Sequence, residues 1–85
     1  MKFRFTAHAL EQLERRGLDR ASVERVLEQP GQSVEQRQGR RALQSKVNFP
    51  DGEYLLRAIV DFRAESPAVV TVYRTRYVTK YWRQE

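Results

Sequence analysis

The 85-residue chain contains no cysteine and a single histidine, His8. Without cysteine there is no disulfide framework, no thiolate nucleophile and no cysteine metal site. One histidine excludes a histidine-rich zinc site within one chain. Aspartate is scarce as well: Asp19, Asp51 and Asp61 are the only three, and none forms a close carboxylate pair in sequence. Metal-dependent nuclease chemistry is therefore disfavoured, and no cofactor is expected. No apolar run approaches the roughly 20 residues that span a bilayer. The opening Met1-Lys2-Phe3-Arg4-Phe5-Thr6 alternates charge with aromatic residues and lacks an apolar signal core. The expectation is a cytoplasmic protein with no membrane partner.

What the chain has in excess is arginine. The net charge is +5 and the sequence pI about 10.1, and only Lys2, Lys46 and Lys80 of the 16 basic residues are lysines. A small basic domain is drawn to polyanions, RNA or DNA first. An acidic protein partner would use the same charge. At this length one domain is expected, residues 1–85, with a small core.

The stretch Thr6 to Gly17 carries the clearest helix signals. Thr6 suits the N-cap, Gly17 suits the left-handed C′ position, and Arg15 and Arg16 complement the helix dipole in the last turn. At about 100° per residue, Ala7, Ala9, Leu10 and Leu13 gather on one side, and His8, Glu11, Gln12 and Arg15 on the other. His8 is thus expected on the polar face of the first turn. A second helix starts at Asp19 as N-cap, with Leu18 stapled onto Val23, and stops at Pro30-Gly31. Strands follow: Lys2–Phe5 as a short first strand, Ser33–Arg37 weakly, then a Gln38-Gly39 turn, Arg41–Phe49, a Pro50-Asp51-Gly52 turn, Glu53–Arg63 and Val69–Tyr73. On the last strand Thr71 and Tyr73 share one face and Val70 and Val72 the other. Helices followed by strands imply α+β: two N-terminal helices on one face of a mainly antiparallel sheet of about four strands. The tail Arg74 to Arg83 interleaves cations and aromatics, which suits stacking and phosphate contacts with single-stranded RNA. Equally, Tyr73, Tyr77 and Tyr81 at fourfold spacing fit one face of a helix packed on the body.

An imidazole that titrates near neutral pH can accept and return a proton, and a neighbouring guanidinium can bind phosphate. Together they suffice to transfer a phosphoryl group from an RNA 5′ oxygen to the adjacent 2′-OH. An exposed histidine near a helix start is nonetheless common and usually does nothing.

Several stretches resemble one family. The pattern His8-Ala9 … Leu13 … Arg16-Gly17-Leu18 is similar to the H-A-x-x-R-M-x-x-R-G-I opening of a group of small bacterial domains of unknown function. Tyr54 to Asp61, Val69 to Thr75, and Lys80-Tyr81-Trp82 resemble that group's strands and tail. The group is usually placed in the superfamily that joins barnase, the RNA-cleaving colicins and RelE-type toxins. The resemblance implies a RelE/barnase-like RNase fold and the toxin half of a toxin–antitoxin pair. It also implies RNA, a cognate antitoxin and the ribosome as partners, and His8, Arg16, Thr71 and Tyr73 as catalytic positions. One departure stands out: the arginine usual four residues after the histidine is Gln12 here, and Arg15 is the candidate substitute.

A lone histidine cannot serve as both acid and base in a monomer. If His8 deprotonates the 2′-OH, Tyr73 or Lys46 is the candidate acid at the leaving oxygen, or the roles reverse. Arg16, Arg57 or Arg74 would stabilise the charge on phosphorus, and the product would be a 2′,3′-cyclic phosphate. RNA contacts are expected from Arg15, Lys46, Arg57, Arg74, Arg76, Tyr77, Lys80 and Tyr81. The competing expectation is a non-catalytic module that binds RNA or docks an acidic protein.

Overall fold

The computed structural model describes residues 2–84. In chain order the elements are β1 (Arg4–Phe5), α1 (Ala7–Arg15), α2 (Arg20–Glu28), β2 (Gln32–Glu35), β3 (Arg40–Phe49), β4 (Gly52–Asp61), β5 (Ala68–Thr75) and α3 (Val78–Tyr81). The fold is α+β. The sheet has five strands in the order β1-β5-β4-β3-β2, one more than the sequence suggested. It is mixed, because β1 runs parallel to β5 while the other pairs are antiparallel.

Local chemistry sets the element ends. The Thr6 hydroxyl accepts from the Ala9 N–H at 3.1 Å, and Asp19 accepts from the Ser22 N–H at 3.3 Å, so both helices start on the expected caps. Gly17 sits at φ +61°, and the Leu18 N–H returns to the Leu13 carbonyl at 2.8 Å. Between β2 and β3, Gln38 (φ 59°) and Gly39 (φ 75°) occupy the centre of a turn closed by Arg40 N–H on the Arg37 carbonyl. Two positive φ values in succession give the primed turn whose twist matches a hairpin. A two-residue Pro50-Asp51 loop joins β3 to β4.

The two longer helices pack on the sheet face that carries Leu43, Leu56, Ala58, Val60, Val69 and Val72, against Ala9, Leu13, Leu18, Val23, Val26 and Leu27. Val69 and Val72 can both face this core because the β4–β5 register slips between Ile59 and Val60. Val70 is the residue left without a register partner at the slip.

The buried stripe of α1 also differs from expectation. Leu10 is 42% exposed, whereas Gln12 is buried beside Ala9 and Leu13. The reason lies in β5. Beyond β1, the outer edge of β5 has no strand partner, and α1 covers it. The Val72 N–H donates to Gln12 Oε1 at 2.9 Å, and Arg16 Nη1 donates to the Val72 carbonyl at 2.8 Å. Two long polar side chains thus replace a missing strand, satisfying backbone groups whose burial would otherwise be costly.

Candidate nucleic-acid interface

The opposite face of the sheet is not covered by α1 or α2. Residues paired across it in register are Gln32 and Gln44, Gln44 and Arg57, then Arg57 and Tyr73. This row of polar side chains crosses four strands at mid-sheet. Arg57, on the central strand, is only 5% exposed. Its Nε donates to Gln44 Oε1 at 2.7 Å and its Nη1 to the Tyr73 hydroxyl at 2.5 Å. The Tyr81 ring lies 4.2 Å from the guanidinium carbon, and the Tyr73 and Tyr81 rings meet edge to face at 6.4 Å.

No carboxylate of the described residues pairs with Arg57. A buried cation ordinarily finds an anion, because desolvation of a lone charge is expensive. Here its partners are an amide, a phenol and a ring face. Nη2 makes no hydrogen bond among the described residues and yet is not sealed from solvent. Arg57 stands on the ridge between two open depressions. Gln36, Arg37, Gln38, Arg40, Ile59 and Tyr73 line one; Val34, Gln36, Lys80, Tyr81 and Arg83 line the other. No acidic residue lines either. Tyr73 accepts from Arg57, so its own O–H remains free to donate. The arrangement offers a phosphate a buried guanidinium, a phenol and four further cations at the rim.

The sequence-predicted residues divide into three groups. Arg57, Tyr73, Lys80 and Tyr81 are brought together on this face. Thr71 shares it, two residues before Tyr73 on β5, and Lys46 stands toward one end with its Nζ 4.6 Å from the Trp82 ring centre. A second group gathers at the β3–β4 turn. Arg74 stacks on Tyr54 at 4.0 Å and on Phe49 at 4.6 Å, Arg76 donates to the Tyr54 hydroxyl at 2.9 Å, and both pair with Asp51. The hydrogen bond from the Tyr54 hydroxyl, at 2.6 Å, holds Asp51 below the usual carboxylate range, helped by the two guanidinium groups. These arginines are therefore anchored to a structural turn. Tyr77 is 73% exposed before α3, so the fourfold tyrosines do not form one helix face; Tyr73 is in a strand and Tyr81 in α3.

The third group is on α1. His8 is exposed, has no hydrogen bond among the described residues, and lines neither depression. Arg15 pairs with Glu11 at 3.0 Å on the exposed side of the helix. Gln12 and Arg16 are occupied with the Val72 backbone. The Gln12 departure from the resemblance thus has a packing explanation. Sequence reasoning does not single out Gln32, Gln36, Arg37, Arg40 or Gln44. The one signal that could have found Gln44 was its place in an alternating strand, where a polar residue predicts a neighbour on the same face.

The sequence profile of a family described as a domain of unknown function, DUF4258, matches residues 5–74. The chain belongs to that family. The match covers most of the chain, takes in Arg57 and Tyr73, and ends before α3 and the Tyr81-Trp82-Arg83 tail. No curated protein and no solved structure matches the chain. Among the described residues, no cluster of three or more histidine, aspartate or glutamate side chains could hold a metal ion, and no helix is long and apolar enough to cross a membrane.

Proposed function

We propose that this domain is the toxin of a toxin–antitoxin pair, built on the RelE/barnase-like RNase fold, and that it cuts RNA without a metal on the open sheet face. The observation that carries the reading is Arg57: a buried guanidinium on a central strand with, among the described residues, no carboxylate partner and a free donor at the surface. A phosphodiester supplies the missing anion. Tyr81 and Tyr73 offer aromatic surfaces for the flanking bases.

In this reading the 2′-OH attacks phosphorus, the 5′ oxygen leaves, and a 2′,3′-cyclic phosphate remains. Arg57 holds the non-bridging oxygens and stabilises the charge that develops on them. Tyr73 donates its proton to the leaving 5′ oxygen, with Arg57 beside the phenolate that results. The proton lost by the 2′-OH passes to water at this open surface. The proton chemistry falls to Tyr73 rather than to His8, which lies on α1.

A second reading draws on the same face. Neither depression is lined by a carboxylate or a histidine. No group there is a ready base at neutral pH, which favours a module that binds RNA, or an acidic antitoxin-like protein, without cutting.

Cleavage of labelled RNA in the presence of a chelator separates these readings. The wild type is expected to yield cyclic-phosphate ends, with Arg57→Ala and Tyr73→Phe slowed by about a hundredfold or more and His8→Ala unchanged. Loss of cleavage in His8→Ala with full activity in Arg57→Ala moves the centre to α1. RNA binding that needs Arg57, with no cleavage by any variant, selects the binding module.

A further inference from the structure

The Arg57 site has a wall that the rest of the sheet does not build. Leu55, on the same face of β4 as Arg57, is fully buried although α1 and α2 lie on the other side. The C-terminal segment closes this end of the face, and its fastening converges on one side chain. Gln44 Nε2 donates to the Tyr81 carbonyl at 3.1 Å and to Gln32 Oε1 at 2.9 Å. Gln32 completes the clasp, donating to the Arg83 carbonyl at 2.7 Å and accepting from the Arg83 N–H at 3.0 Å. Trp82 seats against Gly31, where an added Cβ would stand 3.0 Å from the ring. Meanwhile Gln44 Oε1 accepts from Arg57 Nε.

The orientation of this amide is fixed, since a guanidinium can only donate and a backbone carbonyl can only accept. Its identity matters too. A carboxylate at position 44 would be the simplest partner for a buried arginine, but it would neutralise Arg57 and could not reach the Tyr81 carbonyl as a donor. The amide leaves the positive charge unspent and holds the tail with its other end. Gln44 is fully buried, so both bonds are sheltered from water.

We propose that Gln44 is the positioning residue of the Arg57 site: its oxygen fixes the plane of the guanidinium, and its nitrogen fixes the C-terminal segment that stacks Tyr81 on that guanidinium. This rests on the reading of Arg57 as the phosphate-holding group. The amide lets one side chain set the cation and the aromatic wall together, so that RNA meets a preorganised pair rather than a mobile tail.

Trp82, the only tryptophan, reports on the clasp by its fluorescence. The test combines this emission with anisotropy titration of a labelled single-stranded RNA oligonucleotide, using the full chain and the variants Gln44→Leu, Gly31→Ala and Arg57→Ala. Gly31→Ala is the second route, because its Cβ crowds the Trp82 ring and shifts the tail without touching the buried amide. Its Cβ would also come within 3.3 Å of the Gln44 carbonyl, so the tail is the part free to move. The expected result is a shifted Trp82 emission in Gln44→Leu and Gly31→Ala, with RNA affinity weakened about tenfold, the equivalent of one lost charge-assisted bond. Arg57→Ala should lose RNA binding with Trp82 emission close to wild type. If Arg57→Ala abolishes binding while the emission-shifted variants bind RNA like wild type, positioning is overturned and the phosphate reading stands. If Arg57→Ala binds RNA normally, the phosphate reading fails and positioning falls with it. If Gln44→Leu does not fold, Gly31→Ala decides alone by the same two readouts.

Discussion

Gln12 and Arg16 show how a residue that looks catalytic by position can be structural by partner. Both reach the backbone of β5 at Val72, one as acceptor of its N–H and one as donor to its carbonyl. Gln12→Leu keeps the volume and removes the acceptor, leaving the Val72 N–H covered but unpaired. The expected cost is about 1–3 kcal/mol of stability, measured by denaturant unfolding, with RNA binding per folded molecule unchanged. A fall in RNA binding at constant folded fraction would show that Gln12 serves the site after all. Asp61 makes a second prediction. Hydrogen bonds from the Arg63 guanidinium and then the Arg63 N–H, with Arg40 adding charge, hold its carboxyl far below the ordinary value of 3.8. A carboxylate lowered in the folded state stabilises the fold above its unfolded value and loses that contribution as pH falls through and below it. Acid unfolding should therefore steepen below about 3.8, and Asp61→Asn should flatten that limb of the stability–pH curve.

At the scale of elements, the β2–β3 hairpin depends on its turn more than on its strands. β2 is four residues long and at the sheet edge. Gly39 takes φ +75°, and a Cβ there would lie 2.5 Å from Arg63 Cγ. Its carbonyl also accepts from the Phe62 N–H at 3.1 Å. Gly39→Val meets a strained backbone and a clash with one change. The hairpin is expected to fray first, seen as faster amide exchange in Gln32–Glu35, while α1 and β5 stay protected. Equal loss of protection in α1 would show that the turn is not a local determinant. The hairpin was legible in outline from Gln38-Gly39, because a glycine tolerant of positive φ between two strand-like runs is a local signal; the positive φ of Gln38 was not, since its side chain does not favour it. The β1–β5 pairing was not, since a two-residue parallel strand leaves no periodicity to read.

At the scale of the whole molecule, the cations of the open sheet face stand apart from many of the others. Arg37, Arg57, Lys80 and Arg83 line it with no carboxylate partner among the described residues; Arg40, at its rim, lies 3.8 Å from Asp61, and Arg15, Arg20, Arg63, Arg74 and Arg76 are paired with carboxylates elsewhere. If RNA lies on the open face, about three or four phosphates meet unpaired cations, and the logarithm of affinity should fall with the logarithm of salt at a slope of roughly −2 to −3 for a single strand. Lys80→Gln should make the slope shallower, and Arg20→Gln should leave it alone. Equal effects from both would mean that binding follows net charge rather than this face.

What the sequence determined by itself is local. Caps at Thr6 and Asp19, the left-handed positions at Gly17 and Gly39, the α+β class and the net positive charge all follow from nearest neighbours or composition. The face shared by Leu55, Arg57 and Ile59 was also readable, because strand alternation is a two-residue property. Tertiary structure decided the rest. Which face the helices cover, that Gln12 points inward to an unpaired sheet edge, and that Gln44, Tyr73 and Tyr81 converge on Arg57 depend on strand order and register. Those pairings join residues 13, 16 and 24 positions apart along the chain. Register between distant strands is set by the packed core as a whole, so no window of sequence contains it. That is why the sequence offers Arg57 only as one candidate among many cations, while its burial without a carboxylate beside Gln44, Tyr73 and Tyr81 belongs to the tertiary structure.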